Sequence, residues 1–304
     1  MADQTISESY KDVCGKHGIR INLFVLENLQ KMSTTSPCLK LAGNSKQGGC
    51  HKLCDDDVFA LSKCLHSNRT VTALDLSYNN VGDRGAGHLA DLLEVGNQEE
   101  VSYEPGLDSA LLYLDLTFNN IGAKGAELLS IRLKVCQKRW SRILNPTSSC
   151  DLCSNRVSHD GALYLASVLK EKTAIEILNL SINCIEDIGA GYLSDAMSRL
   201  SVCTNNIRTQ GLCSLAQALK NNPTLTHLYI WGNHPKEPAF RELISSGRLP
   251  PQNTDVESYE QDGHVFLAEA FHGLRKSLYQ ADGNVTDATV GSASDGPPED
   301  QPQR

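Results

Sequence analysis

The chain has 304 residues, with 28 Lys and Arg against 36 Asp and Glu and a formal net charge of −8. That balance argues against a general nucleic-acid binder, which would carry a basic stripe, and suits a protein partner with a basic surface. No signal peptide and no apolar run of membrane-spanning length is read, so the expectation is a soluble intracellular chain, cytoplasmic or nuclear, built as one elongated domain.

Residues 1–35 come first and contain an amphipathic stretch, INLFVLENLQKM, with Ile21, Phe24, Leu26 and Leu29 placed to cover the next segment. This predicts an N-terminal helical cap, which a stacked array of repeats needs at its exposed end. Residues 36–233 then spell one pattern repeatedly, L-x-x-L-x-L-x-x-N-x-I-x-x-x-G-x-x-x-L. The clearest copies are Val71, Leu74, Leu76, Asn79, Val81, Gly85, Leu89; Leu111, Leu114, Leu116, Asn119, Ile121, Gly125, Leu129; and Ile175, Leu178, Leu180, Asn183, Ile185, Gly189, Leu193.

Each part of the pattern has a physical reading. Alternating leucines predict a strand with one buried face. The asparagine points inward and is tolerable only where its amide meets backbone groups of neighbouring turns. Asn44, Asn79, Asn119, Asn155, Asn183, Asn205 and Asn233 align at this position. Glycine and leucine at helical spacing predict a short amphipathic helix, with the glycine allowing close approach to the strand. The fold class is therefore α/β, a solenoid of parallel inner strands and outer helices. Helices are wider than strands, which predicts bending into a horseshoe.

Repeat starts fall at Ser36, Val71, Leu111, Thr147, Ile175, Met197 and Leu225, with successive spacings of 35, 40, 36, 28, 22 and 28. Against a period of about 28, the long spacings place insertions at 45–51, 94–108 and 133–146. The 22-residue spacing makes Met197 end one helix and begin the next strand, so local distortion is expected over 193–202. The fourth repeat is poor, with Thr147 and Cys150 in place of leucines. Residues 234–280 read as a C-terminal cap: a helix in PAFRELISSG ending at Gly247, then a hairpin turning at Asp262-Gly263. Residues 281–304 have almost nothing to bury and read as a disordered tail.

The segments LDLSYNNVGDRGAGHLADLL, LDLTFNNIGAKGAELL and LNLSINCIEDIGAGYL resemble ribonuclease-inhibitor-type leucine-rich repeats, over roughly two thirds of the chain. The resemblance implies a non-enzymatic scaffold that binds a protein partner on its concave face. The closing segments NNPTLTHLYIWGN and NTDVESYEQDGHVFLAEAFHGL resemble the end of one protein of this kind with more repeats, which implies a shortened form. That narrower resemblance also implies a nuclear or nucleolar and cytoplasmic setting in differentiating or germ-line cells.

Reactive constellations do not emerge. The chain has 11 cysteines, an odd number at irregular spacing, which predicts reduced thiols. Cys150 and Cys153 sit on a strand, where residues three apart face opposite ways. Cys50, His51 and Cys54 have no second ligand pair to complete a zinc site. No nucleophile elbow, phosphate-loop lysine or H-E-x-x-H occurs, so no catalytic residue, cofactor or metal is assigned. His159 and Asp160 read as a helix cap. Arg132, Lys134, Lys138, Arg139 and Arg142 around Trp140 read as a solvated helix face, or alternatively as a nuclear-import or RNA contact.

The sharpest functional signal lies between the buried leucines, on residues that must point out of the inner sheet. The position after the second leucine reads Asp75, Asp115, Asp151, Asn179, Ser201 and Tyr229. Beside this column stand Tyr78, Tyr113, Phe118 and Trp231. The expected partner-binding set is therefore Asp75, Tyr78, Tyr113, Asp115, Phe118, Asp151, Tyr229 and Trp231, on a chain expected to be a monomer. Large aromatics held out on a rigid sheet mark an interaction site, and aspartates select partners by charge. The alternative is that the aspartates only solvate the face and that insertions or the hairpin cover the aromatics. Other functional classes open to the sequence are an enzyme regulator, of nuclease-inhibitor or small-GTPase-activator type, and an RNA-associated factor. Activators of that type carry a strongly acidic run after the repeats, whereas residues 281–304 are only mildly acidic.

Overall fold

The computed structural model describes residues 5–32, 37–44, 52–66, 68, 70–93, 111, 113–140, 148–169, 175–194, 199–223, 225–248 and 250–270. The expected insertions at 45–51 and 94–108, residues 141–146 of the third, and the tail at 281–304 lie outside the described residues. So do Cys50, His51 and Arg142, and the side chains of Lys134, Lys138, Arg139, Trp140 and Cys150.

Seven short strands form one parallel sheet in chain order: β1 (Cys38–Lys40), β2 (Ala73–Asp75), β3 (Tyr113–Asp115), β4 (Ser148–Asp151), β5 (Ile175–Asn179), β6 (Arg199–Ser201) and β7 (His227–Tyr229). Parallel neighbours need a crossover. It is supplied by α3 (Asp55–Leu65), α4 (Asp83–Leu92), α5 (Ala123–Trp140), α6 (Ser158–Leu169), α7 (Glu186–Leu193) and α8 (Thr209–Asn221). Each of these helices packs on the next, and α9 (Glu237–Ser245) continues the row. The core fills the space between sheet and helices with the repeat leucines; Leu74, Leu76, Leu116, Leu180 and Leu200 are fully buried.

The asparagines stitch this core together. Asn183 donates to the Leu152 carbonyl of the preceding repeat (2.8 Å) and to Leu180 of its own (3.1 Å), and its Oδ1 accepts from Val157 N–H (3.1 Å). Asn79, Asn119, Asn155, Asn205 and Asn233 make the same bridge, so the carbonyls of Leu76, Leu116, Leu152 and Leu180 each accept from two successive asparagines. Asn44, on the first repeat, is exposed instead.

A second, acidic ladder runs along the helix starts. Asp55 accepts from Gly82 N–H (2.7 Å), Asp83 from Gly122 (2.6 Å) and Gly125 (2.9 Å), and Asp187 from Arg208 (2.6 Å) and Gly211 (2.9 Å). Each carboxylate thus caps the orphan donors of the next repeat's helix. This revises the reason for the motif glycine. A Cβ on Gly125 would lie 2.7 Å from the Asp83 carboxylate, so the glycine makes room for the neighbouring repeat's cap as well as for its own Ile121.

Ahead of the sheet stand α1 (Ile6–His17) and α2 (Leu23–Lys31); α1 packs on α3 and α2 meets β1. The buried residues on α2 are Val25 and Leu29, whereas Ile21 is exposed, because the helix starts after an Asn22 cap and turns the Val25–Leu29 face inward. Helix α1 contributes Tyr10 and Cys14, both fully buried.

At the short spacing, α7 ends at Leu193 and β6 begins at Arg199, and residues 195–198, Met197 among them, lie outside the described residues. Helix α7 has 8 residues, and β6 pairs in register with both neighbours, Leu178↔Leu200↔Leu228. The poor fourth repeat pairs too, with a register shift between Ser148 and Ser149 opposite β5. Among the described residues, no strand joins the sheet beyond β7. Asp255 accepts from Ile230 N–H (2.8 Å) and Trp231 N–H (3.0 Å), donors that a further strand would otherwise engage.

Candidate interaction surface

The strand register aligns the outward column as Asp75↔Asp115↔Asp151↔Asn179↔Ser201↔Tyr229, with Ala73↔Tyr113 and Ile177↔Arg199↔His227 beside it. The acids have a local task first. One oxygen of Asp75, Asp115 and Asp151 accepts the N–H two residues on, from Ser77 (3.0 Å), Thr117 (2.9 Å) and Cys153 (3.0 Å). Asn179 does the same for Ser181 (3.1 Å). Such Asx turns end the strand.

The residue following each turn then adopts a left-handed backbone: Tyr78 (φ 59°), Phe118 (55°), Ser154 (54°), Ile182 (58°), Thr204 (51°) and Gly232 (78°). Its N–H bonds across to the next repeat, as from Tyr78 to Thr117 O (2.8 Å) and from Phe118 to Cys153 O (2.9 Å). Glycine suits this conformation, as at Gly232; a Cβ costs about 1–2 kcal/mol there, and a β-branched or bulky side chain is an outlier. Yet the position carries Tyr, Phe and Ile, and all three are exposed, by 36%, 43% and 48%. The Tyr78 and Phe118 rings stack, with centroids 4.4 Å apart at 14°.

Charge gathers beside this stack. Neighbouring strands lie about 4.8 Å apart, so Asp75, Asp115 and Asp151 form a row of like charges. Burial raises the Asp115 carboxyl above its ordinary range; bonds from Thr117 oppose that, and Asp151 and Asp75 push the same way as burial. Burial likewise raises the Tyr113 hydroxyl, and the three carboxylates add to the effect.

Two of the expected residues are not surface. Asp151 is 3% exposed and Tyr229 5% exposed. Asp151 is held between Cys153 N–H and the Asn179 amide (3.2 Å). Tyr229 lies where the Pro251–Asn253 turn packs on β7, ahead of the Asp255 cap. Trp231 is 38% exposed, but it stands five strands from β2, about 24 Å at ordinary strand spacing. The open patch therefore comprises Asp75, Tyr113 and Asp115 on β2 and β3 and Tyr78 and Phe118 just beyond those strands, with Trp231 apart from it. Ile182 occupies the same repeat position as Tyr78 and Phe118, although the expected partner-binding set leaves it out. Among the described residues, no group of three or more His, Cys, Asp or Glu is placed to hold a metal ion, and no helix is long and apolar enough to cross a membrane.

A family model described as "Leucine Rich repeat" matches residues 67–90 and 109–130, the two repeats that carry Tyr78 and Phe118. The chain is similar to leucine-rich repeat-containing protein 34 of Homo sapiens, 47% identical over 87 residues, which is 28% of this chain and 19% of that protein. The Mus musculus and Rattus norvegicus proteins of the same name are 45% identical over 89 residues and 44% over 87, each 28% of this chain and 21% of theirs. The matched stretch thus spans about a fifth of the length of these curated relatives. Two segments of the chain thus match the leucine-rich repeat model, and 28% of the chain is similar to leucine-rich repeat-containing protein 34.

Proposed function

We propose that this chain is a non-enzymatic interaction scaffold whose strand face, the concave side of a horseshoe, binds a protein partner with a basic surface. The observation that carries this reading is the exposed Tyr78–Phe118 stack, held in a backbone conformation that penalises side chains. Strain of that kind persists where the surrounding structure enforces it and tends to gather at functional positions. The stacked rings offer a flat apolar platform, and Asp75 and Asp115 on the adjoining strand positions select for cations by charge. A lysine or arginine seated there also offsets the burial that raises Asp115 and the Asp151 and Asp75 charges that add to it. The similarity to leucine-rich repeat-containing protein 34 supports a role in protein interaction, since leucine-rich repeats generally serve one. A nuclear or nucleolar and cytoplasmic setting in differentiating cells belongs to the same proposal, and imaging of a tagged chain tests it.

Affinity purification with the intact chain and with Tyr78→Ala/Phe118→Ala, both confirmed folded by circular dichroism, tests the binding reading. Partners should be recovered by the intact chain and lost with the variant. An identical set from both would place the contact surface elsewhere.

A further inference from the structure

The last described element is an antiparallel hairpin, β8 (Val256–Gln261) and β9 (His264–Glu269). Asp262 (φ 52°) and Gly263 (φ 80°) make its turn, the two positive φ values of a tight type I′ connection. A two-residue turn makes Gln261–His264 a hydrogen-bonded pair, so Tyr259–Phe266 and Glu257–Ala268 also exchange backbone bonds. The bond from Ala270 N–H to the Asp255 carbonyl (2.9 Å) continues that alternation. The backbone groups of Val256, Ser258 and Glu260 consequently point outward along one edge, and those of Val265 and Leu267 along the other.

The two edges are treated differently. On the β9 side, Glu237 of α9 accepts the Val265 N–H (3.1 Å) and meets His264 Nδ1 (2.9 Å), while Arg241 donates to the Gly263 carbonyl (2.9 Å). Nothing among the described residues pairs with the outward backbone of Ser258 and Glu260 on the β8 side. Next to that open edge the Tyr259 and Phe266 rings stack at 5.4 Å, exposed by 49% and 40%. Five carboxylates (Asp255, Glu257, Glu260, Asp262 and Glu269) occupy residues 255–269, with no Lys or Arg among them.

An open strand edge is a template for another strand, and charge decides which. A second copy in antiparallel pairing would set Glu257 and Glu260 among the same acids, and like charges across strands destabilise. Nucleic acid is repelled for the same reason. We infer that the β8 edge accepts a third, antiparallel strand from a partner protein, an extended segment reading basic–apolar–any–basic. Its cations face Glu260 and Glu257, and its apolar residue lies on the Tyr259–Phe266 stack, main-chain bonds supplying affinity and side chains selectivity. This edge is independent of the Tyr78–Phe118 platform.

The test uses the full chain and a fluorescein-labelled Thr-Lys-Val-Thr-Lys-Thr peptide, read by fluorescence anisotropy and by hydrogen exchange. Saturable binding is expected, with slowed exchange at the Ser258 and Glu260 amides. Ser258→Pro removes one outward donor while leaving the bonded pairs, and should weaken binding up to about tenfold. Glu257→Lys/Glu260→Lys should abolish binding. Tyr78→Ala/Phe118→Ala should leave it unchanged. Absence of saturable binding overturns the inference, as does equal affinity for the same peptide N-methylated at alternate residues. Loss of binding in Tyr78→Ala/Phe118→Ala overturns it too, by placing the peptide on the sheet face. Should Ser258→Pro lose the hairpin signals, the double charge variant decides, and unchanged affinity there overturns the assignment.

Discussion

Asn183→Ala removes a deeply enclosed link of the asparagine ladder; the residue is 1% exposed. Its loss leaves Val157 N–H buried without its acceptor, a cost of about 1–3 kcal/mol. The Leu152 and Leu180 carbonyls lose one donor each but keep a second, from Asn155 and Asn205. Each of those lost bonds costs about 0.5–1.5 kcal/mol. The sum centres on about 4 kcal/mol, a large fraction of a typical domain's stability. Urea denaturation followed by circular dichroism measures it, with Asn44→Ala as the exposed control expected within about 0.5 kcal/mol of the parent. Asn183→Asp keeps an acceptor for Val157 but turns a carboxylate on two carbonyls, so it should cost at least as much as alanine. A cost for Asn183→Ala equal to that of Asn44→Ala would refute the claim that this ladder holds the repeats together.

Four further outcomes are expected. Gly125→Ala should destabilise by about 1–3 kcal/mol, because its Cβ collides with the Asp83 cap. Gly191→Ala, on α7 with nothing within 4 Å, should stabilise by about 0.5–1 kcal/mol in the same urea denaturation. Glu237 is held down at about 2 by His264, the Val265 amide and Arg241, against an ordinary 4.5. Since its folded pKa is depressed, its contribution is present above 4.5 and lost as pH falls toward 2. Protection of the Val265 amide should therefore drop within that window while the Leu200 amide keeps its own, and parallel loss of both would contradict the local attachment. Asp115 has a raised pKa, so its charge opposes folding as pH rises through the folded value. Asp115→Asn should thus raise the melting temperature at neutral pH while weakening partner recovery, and a stabilised variant with full recovery would remove the acid from the binding surface.

The repeat register was legible because Leu-x-Leu and the asparagine recur together; that placed every strand and the outward column before any pairing was known. What covers that column was not legible. Period-two alternation states which way a side chain points but not what lies over it, so Asp151 and Tyr229 were read as surface although the Asn179 amide and the 251–255 segment enclose them. The link between Asp83 and Gly125 spans 42 residues and has no local signature. Ile21 and Val25 exchanged roles because the helical face depends on where the Asn22 cap starts the helix. Comparing repeat positions places Ile182 with Tyr78 and Phe118 but does not give its exposure.

The binding face is tested most directly by replacing Phe118 with benzoyl-phenylalanine in the full chain and crosslinking in cells, beside the same replacement at Leu163, an exposed residue of α6. Adducts with a protein carrying a basic segment should form from position 118 and be absent from 163. Equal adducts from both positions, or adducts from 163 alone, would contradict a partner seated on the strand face.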